Sequence, residues 1–114
     1  MILFSGRKNC GLGPLGGFYP RARRLQGEGF LAVPGYLDQH VHLTGGSGSA
    51  ELATRMPKLR ASACIGAGVT TVVGTLGTDG ITRSIENLVA KTKALNEEEI
   101  TAGFAPVFQY SFNR

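Results

Sequence analysis

Two cysteines, Cys10 and Cys64, are all that these 114 residues contain, and they form no recognisable framework. That excludes a small secreted module stapled by disulfides and makes a reduced, cytoplasmic setting the expectation. No apolar run approaches the ~20 residues that a bilayer-spanning helix needs, so no membrane partner is expected. Acidic side chains are missing from residues 1–27, where Arg7, Lys8, Arg21, Arg23 and Arg24 stand alone. The remainder carries seven basic and eight acidic side chains, so the net charge of +4 belongs to the leader and not to the body. A nucleic-acid-binding domain would carry a basic stripe on its folded face, and this pattern argues against one. Histidine is as scarce as cysteine: His40 and His42 are the only two.

A hydrophobic content of 42% and a charged content of 18% fit a globular chain. The length suffices for one small domain with a modest core. Residues 1–29 stand apart, with seven glycines, two prolines and neither helical nor strand periodicity. Such a segment buries too little apolar area to offset its ordering entropy, which predicts an irregular Gly/Pro/Arg-rich leader. An acid-poor, Arg-bearing N-terminus also fits a mitochondrial transit peptide, although its glycines and prolines disfavour the amphipathic helix of such peptides. A misplaced gene start is a third reading.

From residue 30 the pattern becomes regular. Residues 36–42, 69–76 and 100–107 read as strands, the second an uncharged, β-branched run of the kind buried on both faces. Helices are predicted over 57–67, with Pro57 at its first position and Gly68 at its stop, and over 84–96, with Ser84 as its cap. The order β-α-β-α-β with short connections predicts an α/β fold with parallel strands, the helices lying on one side. In such folds, functional residues gather in loops at the carboxyl ends of strands. His40, His42, the Gly45-Gly46-Ser47-Gly48-Ser49 loop and the Gly77-Thr78-Asp79-Gly80 turn all fall on that edge.

Two imidazoles at i and i+2 of a strand project to one face, with Asp38 on the same face one step behind. Such a pair can be half of a zinc site, a solvated rim, or an ordinary hydrogen-bonded pair. The cysteines lie too far from the histidines, and from each other, to complete a site by spacing. The glycine loop lacks the Gly-Lys-Ser/Thr ending of a P-loop and does not run directly into a helix, which argues against a phosphate cradle. It reads equally as the rim of a substrate pocket or as a connector.

Pro34-Gly35-x-x-Asp38-x-His40-x-His42 resembles the signature of the metal-dependent amidohydrolase superfamily. Within it, the stretch from Asp38 to Gly46, Gly68-Val-Thr-Thr-Val-Val-Gly74, Gly77-Thr-Asp-Gly80 and Ala90-Lys-Thr-Lys-Ala-Leu-Asn-Glu97 are similar to isoaspartyl (β-aspartyl) dipeptidase, over residues 31–103. The resemblance implies a (β/α)8 TIM barrel, of which residues 30–114 would supply the first three strands and two helices. It implies a binuclear zinc centre, with His40 and His42 binding one ion. A zinc-activated hydroxide would then cleave a β-aspartyl isopeptide bond. By the same resemblance Ser47, Ser49 and Thr78 would contact a small isoaspartyl dipeptide: Thr78 its carboxylate, Ser47 through its backbone N–H. Ser49 stands where the family has a glutamate that holds the α-amino group, and the nearest acid is Glu51. The family's substrate tyrosine would fall at Gln109, beside Tyr110.

A TIM barrel takes about 250 residues. The family's bridging lysine, its two further histidines and its acid/base aspartate have no counterpart here. No catalytic residue is therefore expected in this chain, which reads as an N-terminal fragment of a protein that would be a homo-oligomer at full length. As three open strands, it should leave both sheet edges unpaired and one face uncovered. The rival reading is a non-catalytic remnant or interaction module that keeps only the strand-helix core.

Overall fold

The computed structural model describes residues 27–48, 51–77, 79 and 82–105, together with the backbone of 2–5 and 8–12. The chain forms two compact units that divide between Ala32 and Val33. In the first, β1 (Ile2–Ser5) and β2 (Lys8–Leu12) pair antiparallel, with an irregular register between Leu3 and Phe4. This corrects the expectation of an irregular leader for these residues. Two residues, Gly6 and Arg7, separate the strands, and a two-residue Gly-X link is a hairpin signal. The high glycine count of the whole segment obscured it. Residues 13–26 of the leader lie outside the described residues.

The second unit is α/β. Its strands β3 (Tyr36–Val41), β4 (Val69–Gly74) and β5 (Thr101–Phe104) form a parallel sheet in the order β3-β4-β5. Between them lie α1 (Ala61–Gly66) and α2 (Ile85–Glu97). The predicted strand-helix order and parallel pairing are thus present.

The first helix begins four residues later than Pro57 suggested. The N–H of Met56 donates to the carbonyl of Gly46 at 3.0 Å, and that of Leu59 to the carbonyl of Leu43 at 3.1 Å. Residues 56–59 are therefore tied to the loop after β3, and the amides of Met56 and Leu59 are not spent on a helical turn. Gly68 does end the segment, in the left-handed conformation (φ 70°) that glycine adopts without penalty. The second helix matches its expected cap: Ser84 Oγ accepts from the Asn87 amide at 3.2 Å.

Leu43, Ala61, Cys64, Val72, Leu76, Leu88, Leu95 and Ile100 form the buried core, with Val41, Leu59, Val69, Ile85 and Ala102 packed against it. On β4, Val72 and Gly74 are buried while Thr71 and Val73 are half-buried. The helices thus cover one face, and the second face is less covered by the described residues. Gly74 is required at its position: a Cβ there would lie 2.4 Å from Leu43 Cδ1 and 3.1 Å from Leu88 Cδ1. No described helix is long and apolar enough to cross a membrane.

Candidate functional site

His40 is the penultimate residue of β3, and His42 follows its last residue. Their rings lie edge to face, with centroids 5.2 Å apart and planes crossing at 79°. The two imidazoles therefore converge at the end of β3, as their spacing of two predicts. Their surroundings differ. His40 is exposed, and its ring has no hydrogen bond among the described residues. His42 is half-buried, and its Nδ1 lies 2.9 Å from the Thr75 hydroxyl. Thr75 follows β4 directly and is 4% exposed, its own amide donating to the Val41 carbonyl at 2.8 Å.

Asp38 takes a different part from the one its spacing suggested. Its carboxylate accepts the backbone N–H of His40 at 3.1 Å. It also lines a cavity of about 150 Å³ with Val41, Leu59, Cys64, Val69 and Val72, on the side of β3 that meets α1. Irregular register between Asp38 and Val41 accounts for the departure, since it breaks the strict alternation of β3. Among the described residues no cluster of three His, Cys, Asp or Glu side chains forms. Burial pushes the Cys64 thiol above its ordinary value, so this cysteine is a core residue rather than a thiolate ligand.

The loop after the histidines is shaped by left-handed backbone at Gly45 (φ 95°), Ser47 (φ 59°) and Gly48 (φ 90°). A Cβ at Gly45 would stand 2.1 Å from the Met56 carbonyl oxygen, so the two backbone segments touch only because Gly45 has no side chain. Thr54 fixes the far side of the loop. Its Oγ1 donates to the Glu51 carbonyl at 2.7 Å, lies 2.9 Å from Ser47 Oγ, and accepts the Gly48 amide at 3.2 Å.

The residue that holds this loop was not singled out from sequence. Arg83, 3% exposed, donates from Nη1 to the Ser47 carbonyl at 2.7 Å and from Nη2 to the Gly46 carbonyl at 2.8 Å. Asp79, itself buried, places Oδ2 3.7 Å from Arg83 Nη1 and 3.8 Å from Arg55 Nε. Asp79 also accepts from the amide and the hydroxyl of Thr82, which closes the turn before α2. A trans peptide aims its N–H opposite to its C=O. With the Gly46 carbonyl turned to Arg83, the Ser47 N–H points the other way, and it has no partner among the described residues. The available signal was an Asp-x-x-x-Arg pair next to a site edge in a chain with little charge. Ser49 and Thr78, the other two expected substrate contacts, lie outside the described residues, as do Gln109 and Tyr110.

A parallel α/β layer thus gathers paired imidazoles and a glycine loop beyond its strand ends, the edge where ligands bind in such folds. Two solved structures of β-aspartyl dipeptidase from the keratin-degrading thermophile Fervidobacterium islandicum AW-1, one in complex with a β-Asp-Leu dipeptide, are 58% identical to this chain, with a TM-score of 0.60. This similarity to isoaspartyl dipeptidases is the one the sequence motifs imply. Each match covers 62% of this chain and 19% of the dipeptidase, so the chain spans about a fifth of the length of the proteins it matches. No protein-family model matches the chain.

Proposed function

We propose that this chain carries the first metal-ligand pair and part of the substrate rim of a zinc-dependent isoaspartyl dipeptidase built on a TIM barrel. The observation that supports it best is the convergence of His40 and His42 at the carboxyl end of β3, at 5.2 Å, in a chain 58% identical to a β-aspartyl dipeptidase. The donor set fits zinc. Both side chains can present neutral imidazole nitrogens, and the Nδ1 of His42 already has a hydrogen-bond partner, which leaves Nε2 for an ion. The remaining ligands would come from outside these residues.

When bound, zinc supplies Lewis acidity toward a carbonyl oxygen and lowers the pKa of a coordinated water. The chain's own contribution is placement. His40 and His42 fix where the scissile carbonyl must lie. The Ser47 N–H, which has no partner among the described residues, offers a donor to a carboxylate of the substrate, and Arg83 fixes its direction by holding the Gly46 and Ser47 carbonyls. The substrate class that fits is a small β-aspartyl dipeptide such as the β-Asp-Leu held by the Fervidobacterium enzyme. Ser49 and Thr78 are proposed as further contacts on the strength of the family resemblance alone.

The test is the full-length protein from the continuing reading frame, assayed for release of leucine from β-Asp-Leu with and without added zinc. Activity that a chelator removes, zinc restores and His40→Ala abolishes is the expected result. Unimpaired turnover by His40→Ala would overturn the ligand assignment. A reading frame that ends at Arg114 would favour the non-catalytic remnant.

A further inference from the structure

We infer that Thr75 is a positioning residue for His42, its hydroxyl accepting the Nδ1 proton so that Nε2 is the nitrogen left to bind an ion. The inference rests on the metal reading above for the direction of the bond as well as for the nitrogen left to the ion. The hydrogen bond itself stands on the geometry. Thr75 Oγ1 and His42 Nδ1 are 2.9 Å apart, a normal length for such a contact. Thr75 is nearly fully buried, and its amide is bonded to the Val41 carbonyl, one residue before His42. The hydroxyl therefore stands on backbone that is tied to the same strand end it serves. Its β-branched side chain has few rotamers through which to leave.

The rest of the ring is enclosed as well. A Cβ at Gly77 would stand 3.4 Å from His42 Nδ1, and one at Gly46 would stand 3.4 Å from Cδ2. Backbone thus flanks the imidazole on both sides, and the hydroxyl takes the one nitrogen on the Gly77 side. The Cε1–Nε2 edge is what remains. A neutral imidazole carries one proton, and whichever nitrogen holds it cannot bind a metal. If the Thr75 hydroxyl accepts, the proton sits on Nδ1 and the Nε2 lone pair is free. His40 has no such partner among the described residues. The two histidines are therefore unequal: His42 is preset, and His40 is free to adjust.

The test uses the 114-residue chain, labelled with 15N at histidine and held at mildly alkaline pH. Long-range 1H–15N correlations report which nitrogen carries the proton. The expected result is an Nδ1–H tautomer at His42, with His40 in the same spectrum as the unperturbed control. Thr75→Val removes the hydroxyl at nearly constant shape and should shift His42 toward the Nε2–H form. Thr75→Ser should restore the Nδ1–H form. Zinc chloride titrated against the same resonances should bind Thr75→Val about 10–100-fold more weakly than the parent chain, the usual cost of losing a ligand's hydrogen-bond partner. An Nε2–H tautomer in the parent chain overturns the inference, and that measurement decides even if Thr75→Val fails to fold. In the full-length protein, His42 nitrogens that ignore zinc overturn the ligand role itself, whichever tautomer is found.

Discussion

The side-chain amide of Asn96 engages both backbone hydrogen-bonding groups of Ala102: Oδ1 accepts the Ala102 N–H at 3.1 Å, and Nδ2 donates to its carbonyl at 2.8 Å. Nδ2 also donates to the Thr92 carbonyl at 2.9 Å, which anchors the amide to α2. The two groups of Ala102 lie on the side of β5 away from β4, where a further strand would pair. Asn96 occupies that position as a strand would. The expectation that both sheet edges stand unpaired is therefore corrected at this point. A helix-borne amide closes the edge, one of the ways an exposed edge is made less adhesive.

Asn96→Ala should remove three hydrogen bonds from a site that water can reach. With about 1 kcal/mol for each bond and partial replacement by solvent, a loss of roughly 1–2 kcal/mol is expected. Urea unfolding followed by circular dichroism checks the size. Light scattering checks the second consequence, because an unblocked edge should raise concentration-dependent association. Unchanged stability and unchanged association together would show that the contact has no energetic role.

Gly74 offers a sharper case of packing. Leu43 and Leu88, both fully buried, meet over the place where its side chain would be. Gly74→Ala should displace one of them at a cost of about 1–3 kcal/mol, the usual range for overpacking a core. Leu43 directly follows His42, so the displacement should also move the His42 resonances in an NMR spectrum. Shortening the neighbour, in Gly74→Ala/Leu43→Val, should recover part of the loss and show coupling between the two positions.

The reach of the sequence follows from what kind of force sets each element. β4 and α2 were legible because their apolar spacing, and the Ser84 cap, are local properties. The start of α1 was not, because Pro57 is a fair helix starter whose segment is instead held extended by the carbonyls of Gly46 and Leu43. The β1–β2 pair was missed for a similar reason: two short strands were averaged into a glycine-rich whole. At the site, the histidine pair was legible from its period of two. Thr75 and Arg83 were not, because each acts on a residue more than thirty positions away. Asp38 was misplaced because register breaks cannot be read from alternation.

Two titrating groups contribute to stability in opposite directions of pH. The Glu86 carboxyl is held below its ordinary 4.5, first by its own backbone N–H in the first turn of α2 and then by Ser84. Its contribution is present above the unfolded value and is lost as pH falls through the folded one. Cys64 is shifted the other way, chiefly by burial, from 9.0 upward. Its contribution is complete below the unfolded value and is lost as pH rises through the folded one. The thermal midpoint should therefore carry a Glu86 contribution that fades toward acid pH and a Cys64 contribution that fades toward alkaline pH. Glu86→Gln should flatten the acid limb, and Cys64→Ala the alkaline limb, judged by slope because the alanine also enlarges a cavity.

Arg83 carries the last prediction. Its guanidinium satisfies two loop carbonyls at once and faces the buried Asp79 carboxylate. Arg83→Met removes the cation and leaves that carboxylate with Arg55, at 3.8 Å and partly exposed, as its nearest described cation. Losing the two charged hydrogen bonds to the loop carbonyls costs roughly 3–5 kcal/mol, which a second unit of some 80 residues would feel as a fall of well over 10 °C in its thermal midpoint. Arg83→Lys keeps the charge but cannot reach both carbonyls with a rigid fork. It should cost less, about the 1.5–3 kcal/mol of one charged hydrogen bond. Its distinct effect should appear in the loop, where freeing one carbonyl lets the 46–47 peptide rotate and the Ser47 N–H lose its direction. Calorimetry orders the two variants by stability. Amide shifts of Gly45 to Gly48 in Arg83→Lys test the aiming role, and a loop spectrum identical to that of the parent would mean that the turn is held by Thr54 and the glycine backbone alone.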